Sequence, residues 1–105
     1  MALSSTVINN SSNSTILAGT SGKLRAVTCL FLCNTNSTTA DTITIYAVAN
    51  GQTATDTNTI IKSTEINATD TLTFDTEKLL LEDGDSLQGQ SANGTISATV
   101  SYTDV

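Results

Sequence analysis

The 105 residues contain no histidine, proline or tryptophan, and only two cysteines, two phenylalanines and two tyrosines. Without histidine no Ser-His-Asp or Cys-His nucleophile system can form, nor any His-ligated metal site. The side chain best suited to moving protons near neutral pH is also missing. No enzymatic activity and no cofactor are expected. Charge is scarce as well, at 13% of residues against about 25% in an ordinary soluble domain. The four bases, Lys23, Arg25, Lys62 and Lys78, are scattered among ten acids, for a formal net charge of -6. Nucleic-acid binding needs a basic stripe, and a chain with a pI near 4.1 repels phosphate, so no nucleic-acid partner is expected. No apolar run approaches the roughly 20 residues of a membrane span, which argues against a membrane partner. The opening Met1-Ala2-Leu3-Ser4-Ser5-Thr6 lacks the basic and apolar regions of a secretory signal. The expected site of synthesis is therefore a reducing cytosol.

What fills the chain instead is 21 Thr, 12 Ser and 9 Asn, together 42 of 105 residues. The Thr-rich stretches alternate. Thr42-Ile43-Thr44-Ile45-Tyr46-Ala47-Val48 and Thr95-Ile96-Ser97-Ala98-Thr99-Val100-Ser101-Tyr102 place apolar side chains on one face and hydroxyls on the other. This period of two marks half-buried strands, and β-branched side chains pack well on a pleated surface. Leu24 to Cys33 is apolar on both faces towards its end, as a strand covered on both sides would be. Shorter runs at Thr71–Phe74, Lys78–Leu81, Ser86–Gln88 and Thr59–Lys62, the last with a continuation to Ile66 as its alternative end, read as further strands. Thr6–Asn9 and Ser14–Leu17 read as an N-terminal pair. Turn chemistry at Gly19–Gly22, Asn34–Ser37, Asn50-Gly51, Glu82–Asp85 and Ala92–Gly94 separates these runs. The only helical periodicity is a single turn near Asp75-Thr76-Glu77. The fold expected is all-β: a single antiparallel β-sandwich, jelly-roll or Ig-like, of eight or nine short strands over residues 15–105. Residues 1–14 are polar enough to form an arm that orders against a partner. Phe31, Ile45, Phe74 and Val100 are the expected core.

Three groups of side chains could carry chemistry or contacts. Cys29 and Cys33 lie four apart on a strand, roughly 13 Å of rise and beyond disulfide reach. They share a face with Phe31 and read as small core side chains. Asp75, Glu77, Glu82, Asp83 and Asp85 fall within eleven residues and form a weak candidate for Ca²⁺, although their spacing does not match a calcium-binding loop. The plainer reading is a solvated turn. Thr95, Ser97, Thr99 and Ser101 present a row of hydroxyls without a charge, on a strand of the kind that soluble proteins usually guard with Lys or Glu. That row, with Thr6, Val7, Ile8 and Asn9 of the arm, is the candidate interaction surface.

The stretches Thr6-Val7-Ile8-Asn9-Asn10, Ala26–Thr35 and Asp70–Leu87, with the closing Ala98–Tyr102, resemble small virion structural proteins of tailed bacteriophages, particularly those of cyanobacterial and other aquatic hosts. The likeness is one of strands and turns, not of a catalytic motif. It implies a β-sandwich virion component, made in the host cytoplasm. A capsid decoration (cement) protein fits best on size and surface. It would form a homo-oligomer, expected as a trimer, and contact the major capsid protein or other virion proteins. A neck, collar or tail-fibre attachment role is the alternative, and a carbohydrate- or calcium-binding module comes third.

Overall fold

The structure, a computed structural model, describes residues 2–74 and 79–105. Nine strands follow in chain order: β1 (Ala2–Val7), β2 (Ser14–Ala18), β3 (Arg25–Asn34), β4 (Asp41–Val48), β5 (Thr59–Ile66), β6 (Thr71–Phe74), β7 (Leu79–Leu81), β8 (Ser86–Ser91) and β9 (Ile96–Asp104). The protein is therefore all-β, as the alternation predicts. One 3-10 turn at Asp56–Asn58 precedes β5; Thr55 caps it and the Asn58 side chain closes a reciprocal capping box. The helical turn expected near residues 75–77 lies outside the described residues.

The strands form two antiparallel sheets. The first runs β1-β9-β3-β6, with β7 also paired to β3, and the second runs β2-β8-β4-β5. β6 pairs with residues 30–33 of β3 and β7 with residues 25–27, so the two continue one edge. Counted that way, the chain is a single antiparallel ribbon. Its first arm, β1 to β4, pairs strand by strand with β9, β8, β6 and β5 of the returning arm, and successive pairs alternate between sheets. This is the jelly-roll order, which decides between the two sandwich types expected.

Between the sheets lie Ile8, Leu32, Ile43, Ile45, Leu87, Ile96, Ala98 and Val100, all fully buried. Burial of one large aliphatic side chain stabilises the fold by about 1.5–3 kcal/mol. The expected core is half right: Ile45 and Val100 are inside and Phe74 packs partly against the cluster, but Phe31 is 39% exposed. Register explains the difference. Residues directly opposite in antiparallel strands share a face. Leu30 and Leu32 lie opposite Val100 and Ala98, while Phe31 and Cys33 lie opposite Thr99 and Ser97. Since β9 must turn Ile96, Ala98 and Val100 inwards, Phe31 goes out, and Cys29 and Cys33 go with it, half-buried and free. Neither is a core side chain, and β3 is covered on one side only.

The N-terminal segment is no arm. Residues 2–7 pair with β9 in an unbroken register, and Ile8 donates its backbone N–H to Ile96 O at 2.8 Å. Ile8 is completely buried and supplies the apolar anchor that the polar composition hides. An edge strand needs only one covered side, so Ser4 and Thr6 suffice as its half-buried inner residues. Nor do the first two strands pair with each other: β1 joins β9 in one sheet and β2 joins β8 in the other.

Candidate functional site

Four of the five strands of the first sheet carry the rows that matter on its outer face. β1 contributes Leu3, Ser5 and Val7, which lie opposite Ser101, Thr99 and Ser97 of β9. Those in turn face Cys29, Phe31 and Cys33 of β3, and Thr73 and Thr71 of β6 follow. Every side chain across these four rows is a hydroxyl, a thiol or a hydrocarbon, and none is charged. Leu3 is 72% exposed and Val7 66%, so with Phe31 the face presents large apolar side chains to solvent. Such a face is costly to leave in water and cheap to cover, because hydroxyls lose less on desolvation than charges do.

Of the expected interaction residues, the structure brings Val7, Ser97, Thr99 and Ser101 onto this one face. Ser5 Oγ and Thr99 Oγ1 lie 3.3 Å apart, tying β1 to the row. Ser101 is largely buried, and Thr28 Oγ1 donates to it, with 2.9 Å to its Oγ. Thr6 points to the inner side and Ile8 is in the core. Asn9 is exposed, but its backbone is fixed: its N–H donates to Ser14 Oγ at 2.9 Å and its carbonyl accepts from Ser91 N–H at 3.0 Å. Thr95 precedes β9 and leaves the row altogether. Its hydroxyl lies 2.9 Å from Asn34 Oδ1 and 3.0 Å from Asp41 Oδ2, with a single proton to offer them.

That last contact belongs to a buried polar knot which the sequence did not announce. Asp41 accepts from the N–H groups of Thr42, Asn93 and Thr95 at 2.8, 2.9 and 3.2 Å. Asn34 Nδ2 donates to the Thr39 and Ile66 carbonyls, both at 3.0 Å. Burial opposes ionisation of Asp41, but these donors outweigh it and hold its carboxyl below the usual range. The knot pins the start of β4 to the turn before β9. At the opposite end Arg25 grips Asp104 with two hydrogen bonds, 2.8 and 3.2 Å, and lies 4.5 Å from the Tyr102 ring centre. Its Nη1 donates to the Ala18 carbonyl of the second sheet. The Arg25 hydrogen bond holds the Asp104 carboxyl below its ordinary value. The only sequence signal for either site was a charged or amide residue at the end of an apolar strand.

In the acidic turn, Asp75 and Glu77 lie outside the described residues. Asp85 is engaged by backbone, accepting from Asn50 N–H at 2.9 Å and Glu82 N–H at 3.0 Å. Gly84 takes φ +88° in this turn, and Gly19 sits so close to the Glu82 carbonyl that no side chain would fit. Glu82, Asp83 and Asp85 thus shape a bend. Among the described residues no three acids or cysteines gather to hold a metal ion. An apolar cavity of about 340 Å³ opens between the sheets beside Val27, Leu30, Ile60, Ile61, Phe74 and Leu79. No polar side chain among these would orient a ligand. Set against known protein families, curated proteins and solved structures, the chain matches none.

Proposed function

We propose that this chain is a non-enzymatic structural protein of a phage virion, a head decoration protein that binds copies of itself and the major capsid protein. The observation that carries this reading is the uncharged outer face of the first sheet, with Phe31, Leu3 and Val7 exposed among hydroxyls. A chain of net charge -6 that, among the described residues, keeps charge off these rows leaves that face as the place where another surface can close. The jelly-roll order supports the reading by analogy alone, since capsid, lectin and cupin domains share it. The mechanism is mass action: many moderate contacts, repeated over a particle, stabilise the assembled shell over its free parts.

Binding to particles stripped of the protein tests this. The Phe31→Glu chain, with a charge at the centre of the face, should keep its fold and lose particle binding. Undiminished binding by that variant would remove the face from the mechanism, and absence of the chain from purified particles would end the virion reading. A few copies confined to the portal vertex would move the protein to the neck or tail.

A further inference from the structure

β1 closes one side of the first sheet, and among the described residues β9 is the only strand hydrogen-bonded to it. The direction of its free groups follows from one bond. Ile8 donates to Ile96 O, and the strands are in register from residue 2 to residue 7. Backbone groups alternate along an antiparallel strand, so the even residues bond to β9 and the odd ones point away. The N–H and C=O groups of Leu3, Ser5 and Val7 therefore line the open edge, while their side chains stand on the uncharged outer face. Water can solvate such a row, but only an extended strand can pair with all of it at once.

The other edges are guarded. β6 and β7 are four and three residues long. β2 is broken by a register shift between Thr15 and Leu17, and β5 carries Lys62, Glu65 and two register shifts. β1 has no charge and no irregularity over six residues. It is also self-complementary. Leu3-Ser4-Ser5-Thr6-Val7 reads apolar, hydroxyl, hydroxyl, hydroxyl, apolar in both directions about Ser5.

We infer that β1 pairs with β1 of a second copy of this chain, antiparallel about a twofold axis through Ser5. In that register Ser5 meets Ser5 and Leu3 meets Val7. Each of these pairs exchanges both backbone bonds, because all are edge-pointing residues, and the two sheets become one. Leu3 and Val7 of the two copies lie side by side, and the uncharged faces join on the same side of the dimer. Two chains that each carry -6 can meet here without opposing charges. The inference deepens the self-association in the proposed function and rests on it, replacing the expected trimer by a twofold contact.

Sedimentation equilibrium over a wide concentration range tests it. The full chain should be a reversible dimer, and Ser5→Lys should raise the dissociation constant by at least about tenfold through like charges across the axis. Its circular dichroism should not change, because the Ser5 side chain is exposed, gives up only the exposed contact to Thr99, and leaves the backbone pairing to β9 untouched. Independently, in a chain with Cys29 and Cys33 replaced by Ser, Ser5→Cys should form a disulfide-linked dimer on mild oxidation and Leu3→Cys should not. A trimer, or a dimer indifferent to Ser5→Lys and not linked through Ser5→Cys, overturns the edge pairing and leaves self-association standing. A chain monomeric at every concentration overturns both, while particle binding that survives would still support the capsid contact.

Discussion

β1 and β5 each close a sheet of the sandwich, and their open sides are built differently. β5 carries Lys62, Ser63, Thr64 and Glu65 in exposed positions. Ser63 sits at φ +49° in a bulge where two residues oppose Thr44, and its N–H is taken by Thr44 Oγ1 at 3.0 Å. Charge and a bent backbone together make it a poor template for another strand. β1 has neither device, and it borders the rows that carry no charge among the described residues. The chain can build a guarded edge, as β5 proves, and the plain edge of β1 adjoins the plain face. On the proposed reading, the association surface of this fold is marked by what is left off it.

The sharpest way to break this comparison is to ask which way the first sheet faces. Leu32 is inside and Phe31 outside on consecutive positions of β3. Leu32→Ala should cost about 2–5 kcal/mol in denaturant unfolding, whereas Phe31→Ala should cost at most about 1 kcal/mol. Equal losses would mean that the outer face is covered within the chain.

A second, smaller effect lies in the polar knot beneath the row. Asp41→Asn should lower stability by about 1–3 kcal/mol, since backbone donors lose a charged acceptor. The carboxyls of Asp41 and Asp104 are both held below their ordinary values. The unfolded chain therefore binds more protons in acid than the folded one. Their contribution is complete above about pH 4, the ordinary carboxylate value, and is lost as pH falls through the lower folded values. Asp41→Asn should flatten this acid limb of a stability-against-pH curve.

Giving β1 a guard of the β5 kind should hardly touch the fold. Val7→Lys, on an exposed side chain, should change the unfolding free energy by less than about 0.5 kcal/mol. A large loss would show that Val7 is packed, contrary to its exposure. The smallest effect is expected on β5 itself. Lys62 meets Asp56 at 3.1 Å with both side chains largely in water. Lys62→Gln with Glu65→Gln should shift stability by no more than about 0.3 kcal/mol, and light scattering should reveal no new association, because the bulge still bends the edge.

Strand identity was legible wherever one face had to be buried. The alternation of residues 95–102 and 42–48 named β9 and β4 to within two residues at each end, and Thr71–Phe74 is β6 as read. It failed where both faces were apolar or both were polar. In Leu30-Phe31-Leu32-Cys33 either set could go inside, and only the pairing to β9 chose. The strand expected at Thr6–Asn9 lies at Ala2–Val7 instead: nothing local marks Ala2–Ser5, and the buried Ile8 that anchors the strand stands one residue past its end. The candidate face was half legible: Ser97, Thr99 and Ser101 were visible as a row. Leu3, Ser5 and Phe31 joined it only through register, and Thr95 left it for Asp41.

By itself the sequence determined the class of the fold, because period-two patterning with turn residues between runs has few other solutions. It also determined the absence of histidine chemistry and the scarcity of charge, which are matters of composition. The tertiary structure decided the jelly-roll order, the side of β3 that faces water, and the place of the N-terminal segment. Each of these depends on which strands pair and in what register, and a one-residue change of register exchanges the two faces of a strand. That choice is made by contacts between residues as far apart as Ile8 and Ile96, which no local pattern can express.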